Sequence, residues 1–222
     1  MNFLSNLKIS NKLLLLTAIP TLALIIFAVI AVTDKMSISS QMQHVEEMSN
    51  IAASVSALVH ETQKERGMTA GFLGSGGKNF ASKIGGQRRN VDNKLQELNE
   101  YISTIDLNAL DPGFVRDLNK ALSMIGELDN KRQRISALSI KTGEAIGYYT
   151  KMNGAFLHII TDIIKHAVTA EESSLVAAYF NFLQAKERAG VERAVLAAVF
   201  SQDRFRSGQF KKLIQLVEDQ VV

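Results

Sequence analysis

The feature that most constrains this chain is an uncharged, mostly apolar run near its amino terminus. Residues 13–32 read LLLLTAIPTLALIIFAVIAV and contain no charged side chain. As an α-helix rising about 1.5 Å per residue, a run of this length spans a hydrocarbon core of roughly 30 Å. The run exceeds the apolar region of a cleaved secretory signal, and no Ala-x-Ala cleavage pattern ends it. We therefore expect residues 13–32 to form an uncleaved transmembrane helix.

The distribution of lysines around this run predicts its orientation. Lys8 and Lys12 precede it, and Lys35 is the only lysine or arginine between the run and Lys64. Since cytoplasmic flanks carry the excess of positive charge, residues 1–12 are expected in the cytoplasm and residues 33–222 outside it. Pro20 lies within the run, and membrane helices tolerate proline when neighbouring groups satisfy the freed carbonyl.

The rest of the sequence predicts an all-α protein. The whole chain has only two prolines, and the part after the apolar run is rich in Ala, Leu, Glu, Lys and Gln, which favour helix. The first helix is expected to continue from the transmembrane run to the glycine-rich segment that begins at Gly74. Further helical patterns cover residues 80–105, 112–138, 140–168, 173–205 and 205–217. Long helices with short connections indicate an antiparallel bundle. Because the pattern is still amphipathic at the last residue, we expect a domain truncated at its carboxy-terminal end.

Several classes of function are disfavoured. With no cysteine and four scattered histidines, the chain has no metal-ligand spacing. A net charge of +3, with acids interleaved among the bases, does not indicate nucleic-acid binding. No nucleophile, base and orienting group can be placed together, so we expect neither an enzyme nor a cofactor. The methionines and phenylalanines are expected to fill the core, namely Met36, Met42, Met48, Phe72, Phe80, Phe180, Phe182, Phe200, Phe205 and Phe210.

Two Lys-Glu-Arg triplets, at residues 64–66 and 186–188, begin the motifs that could carry chemistry. Arg66 and Arg193 each lie beside glycine and alanine residues, where two helices could approach closely. A guanidinium buried there needs an acceptor, either a carboxylate or a bound anion, because an unpaired buried charge is costly. Its planar fork of donors suits a small oxyanion. Ordinary helix-surface pairs, such as Arg188 with Glu192 at i and i+4, are the alternative.

The same motifs resemble a known family. The string from Leu58 to Ser75, which contains Glu65-Arg66-Gly67, and the later string from Glu187 to Ala194 are similar to the nitrate- and nitrite-sensing domain of bacterial signalling proteins. Phe80, Gln87, Arg88 and Asp92 extend the similarity, which covers residues 51–222.

The resemblance implies an all-helical sensor that binds nitrate or nitrite between helices. Carried over to this sequence, the ligand-binding residues are Arg66 and Arg193, with Arg89 and Arg188 as weaker candidates. Glu65 stands where some members have a second basic residue, and it would weaken an anion site if its side chain pointed inward.

The resemblance further implies a homodimeric receptor in the bacterial cytoplasmic membrane, with the sensor on the periplasmic or extracellular side. The amino-terminal segment is also similar to the start of many methyl-accepting chemotaxis receptors, which makes a chemoreceptor the expected output. The alternative is a ligand-free helical module that dimerises or docks a partner protein. The two readings differ at Arg66 and Arg193, which a structural module would pair with carboxylates.

Overall fold

The computed structural model describes residues 8–166 and 170–218, and all the regular structure in these ranges is helical. The expected all-α class is therefore confirmed. The helices, in chain order, are α1 (Ile9–Gly74), α2 (Ile84–Ser103), a 3₁₀ turn (Leu107–Ala109), α3 (Pro112–Ile125), α4 (Leu128–Ser136), α5 (Thr142–His166), α6 (Ala170–Gln202) and α7 (Gln209–Glu218). Residues 1–7, part of the expected cytoplasmic segment, and residues 167 and 168 of the fourth predicted helix lie outside the described residues.

Helix α1 contains the apolar run predicted to cross a membrane. From Leu16 onward it is long and apolar enough to do so by length and composition, a test that a signal sequence near the amino terminus also passes. The polar hydroxyls in this stretch donate to the backbone of their own helix, as Thr21 does to the Thr17 carbonyl at 2.7 Å. Such internal hydrogen bonds suit a segment without access to water.

The chain divides into two units, Met1–His44 and Val45–Val222. In the second unit every helix from α1 to α6 contributes to one apolar core, which includes Ile51, Val91, Phe114, Ile135, Phe156 and Leu183. On α1 the apolar side chains that face this core are buried from Met48 onward, at Ile51, Val55 and Leu58. Met36 and Met42 are exposed, so the core prediction is wrong for them. Both precede the unit in which the core is formed.

The element boundaries follow local sequence signals. Asp111 caps α3 by accepting a hydrogen bond from the Phe114 amide at 2.9 Å, and Pro112 occupies the first turn, as expected. The single helix predicted over residues 112–138 is instead two, because the chain leaves the helix at Gly126, a residue of low helix propensity. Helix α2 begins later than predicted, since Phe80 adopts a φ of 63° that ends any helix there.

Pairs of side chains give the directions of the helices that surround α1. Ser56 pairs with Tyr179, and Gln63 pairs with Glu187. Since the residue numbers increase in the same direction along both helices, α1 runs parallel to α6. Against α5 the order reverses, because Thr62 bonds Asn153 while Arg66 bonds Thr150. Helices α5 and α6, which are consecutive, pack against each other.

Small residues line the contact between α1 and α6. Ala70, Ala194 and Ala198 form a buried cluster with no exposed surface. A Cβ atom added to Gly74 would lie 3.0 Å from the Ala198 carbonyl oxygen, closer than ordinary contact. This small-residue seam lets the two backbones approach, and it brings the two arginine motifs of the sequence onto neighbouring helices.

The seam makes a testable prediction. Ala194→Leu should lower the free energy of unfolding by about 1–3 kcal/mol, because the fully buried site has no room for three further carbon atoms. Gly67→Ala is the matched control, since a Cβ there meets nothing within 4 Å. Removing a glycine from a helix interior should raise stability by roughly 0.5–1 kcal/mol. Chemical unfolding of the full chain in mild detergent, followed by circular dichroism, measures both; equal stability of Ala194→Leu and the parent would contradict the close approach.

Candidate functional site

The first arginine motif forms a polar band across the otherwise apolar buried side of α1. Five consecutive core-facing positions carry hydrogen-bonding side chains that are almost entirely buried, namely Thr62, Gln63, Glu65, Arg66 and Thr69. Buried polar groups are costly unless paired. Four of the five hydrogen-bond to a side chain of another helix, namely Thr62, Gln63, Glu65 and Arg66. The band therefore marks the place where α1 is bound to the rest of the bundle by charge and hydrogen bonds.

Arg66 is fully buried and lies between α1, α5 and α6. Its Nη1 donates to Oε1 of Glu187 and, at 3.1 Å, to the Thr150 hydroxyl. Its Nη2 donates to Oε2 of Glu187 at 3.2 Å, so the guanidinium and the carboxylate meet through two parallel bonds. Among the described residues, the Arg66 Nε has no hydrogen-bond partner. The Nε–H of this guanidinium is thus an unused donor.

Gly190 makes room for this guanidinium. A Cβ atom at position 190 would lie 2.8 Å from Nη2 of Arg66. A side chain at this position would force the guanidinium to shift, so the glycine allows α6 to approach the arginine as it does.

Glu187 receives donors from two residues of α1. Besides the Arg66 fork, Nε2 of Gln63 donates to Oε2 at 2.7 Å. The carboxylate is a planar monoanion held by charged and neutral N–H donors. This group of side chains, Gln63, Arg66, Thr150 and Glu187 beside Gly190, is called here the Arg66 cradle.

Glu65, the neighbour of Arg66, points inward to a second charge cluster. Its two oxygens accept from Nε and Nη2 of Arg132 at 2.9 and 2.8 Å, and Oε1 also accepts from the Tyr149 hydroxyl at 2.8 Å. The Nε atom of Arg88 lies 3.6 Å from the same oxygen. Since adjacent helical residues point about 100° apart, Glu65 and Arg66 serve separate clusters.

Arg132 connects α4 to α1 and α2. Its Nη1 also donates to Asp92 at 2.5 Å and to Asp129 at 3.2 Å. Burial works to lower the pKa of Arg132, but the hydrogen bonds to Glu65 and Asp92 outweigh it and hold that pKa above its ordinary value. Burial, followed by the charge of Glu65, raises the pKa of Tyr149 well above its ordinary value, so the phenol stays protonated and keeps donating.

Arg193, the second predicted ligand residue, is exposed on α6. None of the contacts described for Arg66 involves it, so the structure does not bring the two arginines into one slot. Arg193 lies within electrostatic range of His60 on α1, whose pKa is lowered first by burial and then by Lys186, with Lys64 and Arg193 adding to the effect. Its role in binding stays a prediction. The weaker candidates Arg89 and Arg188 are also exposed.

The sequence reasoning missed Arg132, Arg88 and Glu187 as partners in these clusters. A signal for Arg132 was present: Leu128, Arg132 and Ile135 recur at i, i+4 and i+7, and all three are buried. An arginine on the apolar stripe of a short helix indicates a buried acid elsewhere. No comparable signal identifies which acid, because that depends on which helices become neighbours.

Known proteins share this helical architecture. The structure of the NasR transcription antiterminator matches with a TM-score of 0.74 at 25% identity, over 85% of this chain and 53% of that one. The nitrate regulatory protein of Klebsiella oxytoca is 25% identical over 182 residues, which are 81% of this chain and 45% of that protein. The chain thus spans about half the length of these relatives.

The fold is that of an all-helical sensor domain. The family described as nitrate and nitrite sensing matches residues 57–221, and the chain belongs to that family. This confirms the family inferred from the two arginine motifs.

The second charge cluster makes a prediction that separates buried from exposed arginines. Arg132→Ala should cost about 3–5 kcal/mol of unfolding free energy, because it leaves the Glu65 carboxylate buried without its main partner. Arg134→Ala is the control from the same helix, since Arg134 pairs with Glu144 at 2.9 Å where both side chains are well exposed. Its loss should stay within about 1 kcal/mol. Similar costs for the two variants, in chemical unfolding of the full chain, would rule out a structural role for the cluster.

Proposed function

We propose that this chain is the ligand-binding sensor region of a membrane-anchored signalling receptor, and that it binds nitrate or nitrite at the Arg66 cradle. It performs no catalysis in this proposal. The family supplies the ligand class, a small planar oxyanion. The geometry of the cradle supports it as the position of the binding site.

The observation that carries the proposal is what the cradle already holds. The Glu187 carboxylate is a planar monoanion, and it is bound by the Arg66 fork and the Gln63 amide. Nitrate and nitrite carry the same single negative charge as this carboxylate, and each presents two oxygens in nearly the same planar geometry. The donors that hold the carboxylate are therefore the ones that these anions need. The unused Nε of Arg66 offers one more.

The membrane part of the proposal rests on the apolar run of residues 13–32. It lies in a helix long and apolar enough to span a bilayer, and its flanking lysines favour a cytoplasmic amino terminus. We propose that residues 33–222 lie outside the cytoplasm and that the receptor is a homodimer. A chemoreceptor is our first choice of output. The relatives named above are a nitrate regulatory protein and a transcription antiterminator.

A second candidate function is a ligand-free module that dimerises or docks a partner. Two observations favour it. Arg66 is paired with a carboxylate, as a structural role requires. Helix α6 also presents an exposed apolar face, which comprises Leu175, Tyr179, Phe182 and Phe200. The last two, with Phe80, Phe205 and Phe210, were expected in the core and are instead exposed. Phe182, Phe200, Phe205 and Phe210 lie on α6, on α7 or in the turn between them, whereas Phe80 lies in the turn after α1 with its ring beside Gly71.

Calorimetric titration of the full chain in mild detergent separates the two functions. Nitrate and nitrite should bind saturably, while chloride and sulfate should bind at least about tenfold more weakly. Chloride offers no pair of oxygens to the arginine fork, and sulfate carries a second negative charge that the single guanidinium does not balance. Arg66→Lys keeps the buried charge but removes the fork, so it should abolish binding while the protein stays folded.

Two exposed arginines complete this test. Arg193→Ala should weaken nitrate binding if Arg193 belongs to the site, whereas Arg89→Ala, its exposed control, should not. Heat from none of the anions, with the parent chain folded and dimeric, would favour the ligand-free module.

A further inference from the structure

The Arg66 cradle is occupied by a side chain of the protein itself. Both terminal nitrogens of Arg66 donate to Glu187, and Gln63 donates to the same carboxylate. An external anion cannot accept from the fork while Glu187 holds it. We propose that Glu187 is a built-in competitor of the ligand, which must leave the cradle before a small planar oxyanion can enter. This inference rests on the proposed function.

The two partners of the ion pair differ in their freedom to move. The Arg66 side chain has no exposed surface, whereas the Glu187 side chain retains 9% and lies on α6 between the half-buried Lys186 and the exposed Arg188. Rotation about the side-chain bonds of Glu187 takes its carboxylate toward solvent without shifting a helix. Arg66 has no such route, so the carboxylate is the member that leaves.

The exchange is balanced in charge. One monoanion replaces another beside the Arg66 guanidinium, so the buried charge never stays unpaired in either end state. A dianion such as sulfate would leave one negative charge uncompensated in the same space. Exchange with Glu187 therefore favours monoanions. It also lowers the apparent affinity for the ligand, because the ligand binds only the fraction of molecules in which the cradle is open.

The exchange also provides a signal. In the closed state, Glu187 joins α6 directly to Arg66 and Gln63 of α1. When a ligand takes the donors, those hydrogen bonds no longer connect the two helices, while the small-residue seam at Ala70, Ala194 and Ala198 remains. The ligand binds the open state of the cradle in preference to the closed state, which is the requirement for a ligand to shift a conformational equilibrium.

The test compares nitrate binding by the parent chain, Glu187→Gln and Glu187→Asp, using the full chain in detergent. Glu187→Gln removes the competing charge, and Glu187→Asp keeps the charge but shortens its reach by one methylene. Both should bind nitrate at least about tenfold more tightly than the parent, because the closed fraction falls. Glu171→Gln, an exposed acid on the same helix, should bind like the parent.

A second measurement keeps the test decisive if one variant is poorly stable. Without ligand, Glu187→Gln leaves Arg66 without its carboxylate, so saturating nitrate should raise its melting temperature more than that of the parent. Parent-like or weaker nitrate binding by both variants, with the parent binding saturably, would overturn the competitor role and leave the proposed function standing. No binding by the parent or by either folded variant would overturn the proposed function itself.

Discussion

A guanidinium enclosed among three helices needs a negative partner, and the arrangement around α1 depends on that requirement. Arg66 has no exposed surface, so its charge can be balanced only by a group that another helix brings to it. Glu187 of α6 is that group, and Gly190 one turn later leaves the space that the guanidinium fills. The small residues along the same contact allow the helices to come close enough for the pair to form.

The adjacent residue obeys the same rule with the signs reversed. Glu65 is a buried acid, and Arg132 of α4 balances it while also contacting Asp92 of α2. Arg66 therefore joins α1 to α6 through Glu187 and to α5 through Thr150. Arg132 joins α4 to α1 and α2. Because Glu65 and Arg66 point to different sides of α1, they place opposite charges in separate clusters. Glu65 does point inward, but its carboxylate pairs with Arg132 and not with Arg66.

The Arg66 cradle is compatible with both roles that the sequence motifs left open, an anion-binding site and a structural ion pair. An ordinary salt bridge and an anion site need the same donors, since a carboxylate and a nitrate ion are both planar monoanions. The structure contains the salt bridge, and the family match indicates nitrate or nitrite as the anion. These observations are compatible if the bridge is the unliganded state of the sensor. What distinguishes a sensor from a structural module here is whether the carboxylate can be displaced.

The sequence alone determined the all-α class, the family and the end of α1 at the glycine-rich segment, because these depend on local backbone preferences and short motifs. It also indicated that Arg66 would need an acceptor. Only the tertiary structure decided that the acceptor is Glu187, which is 121 residues away, and that Arg193 faces solvent. The physical reason is that a helical pattern shows which side of each helix is apolar, whereas the pairing of buried charges depends on which helices become neighbours and at what rotation.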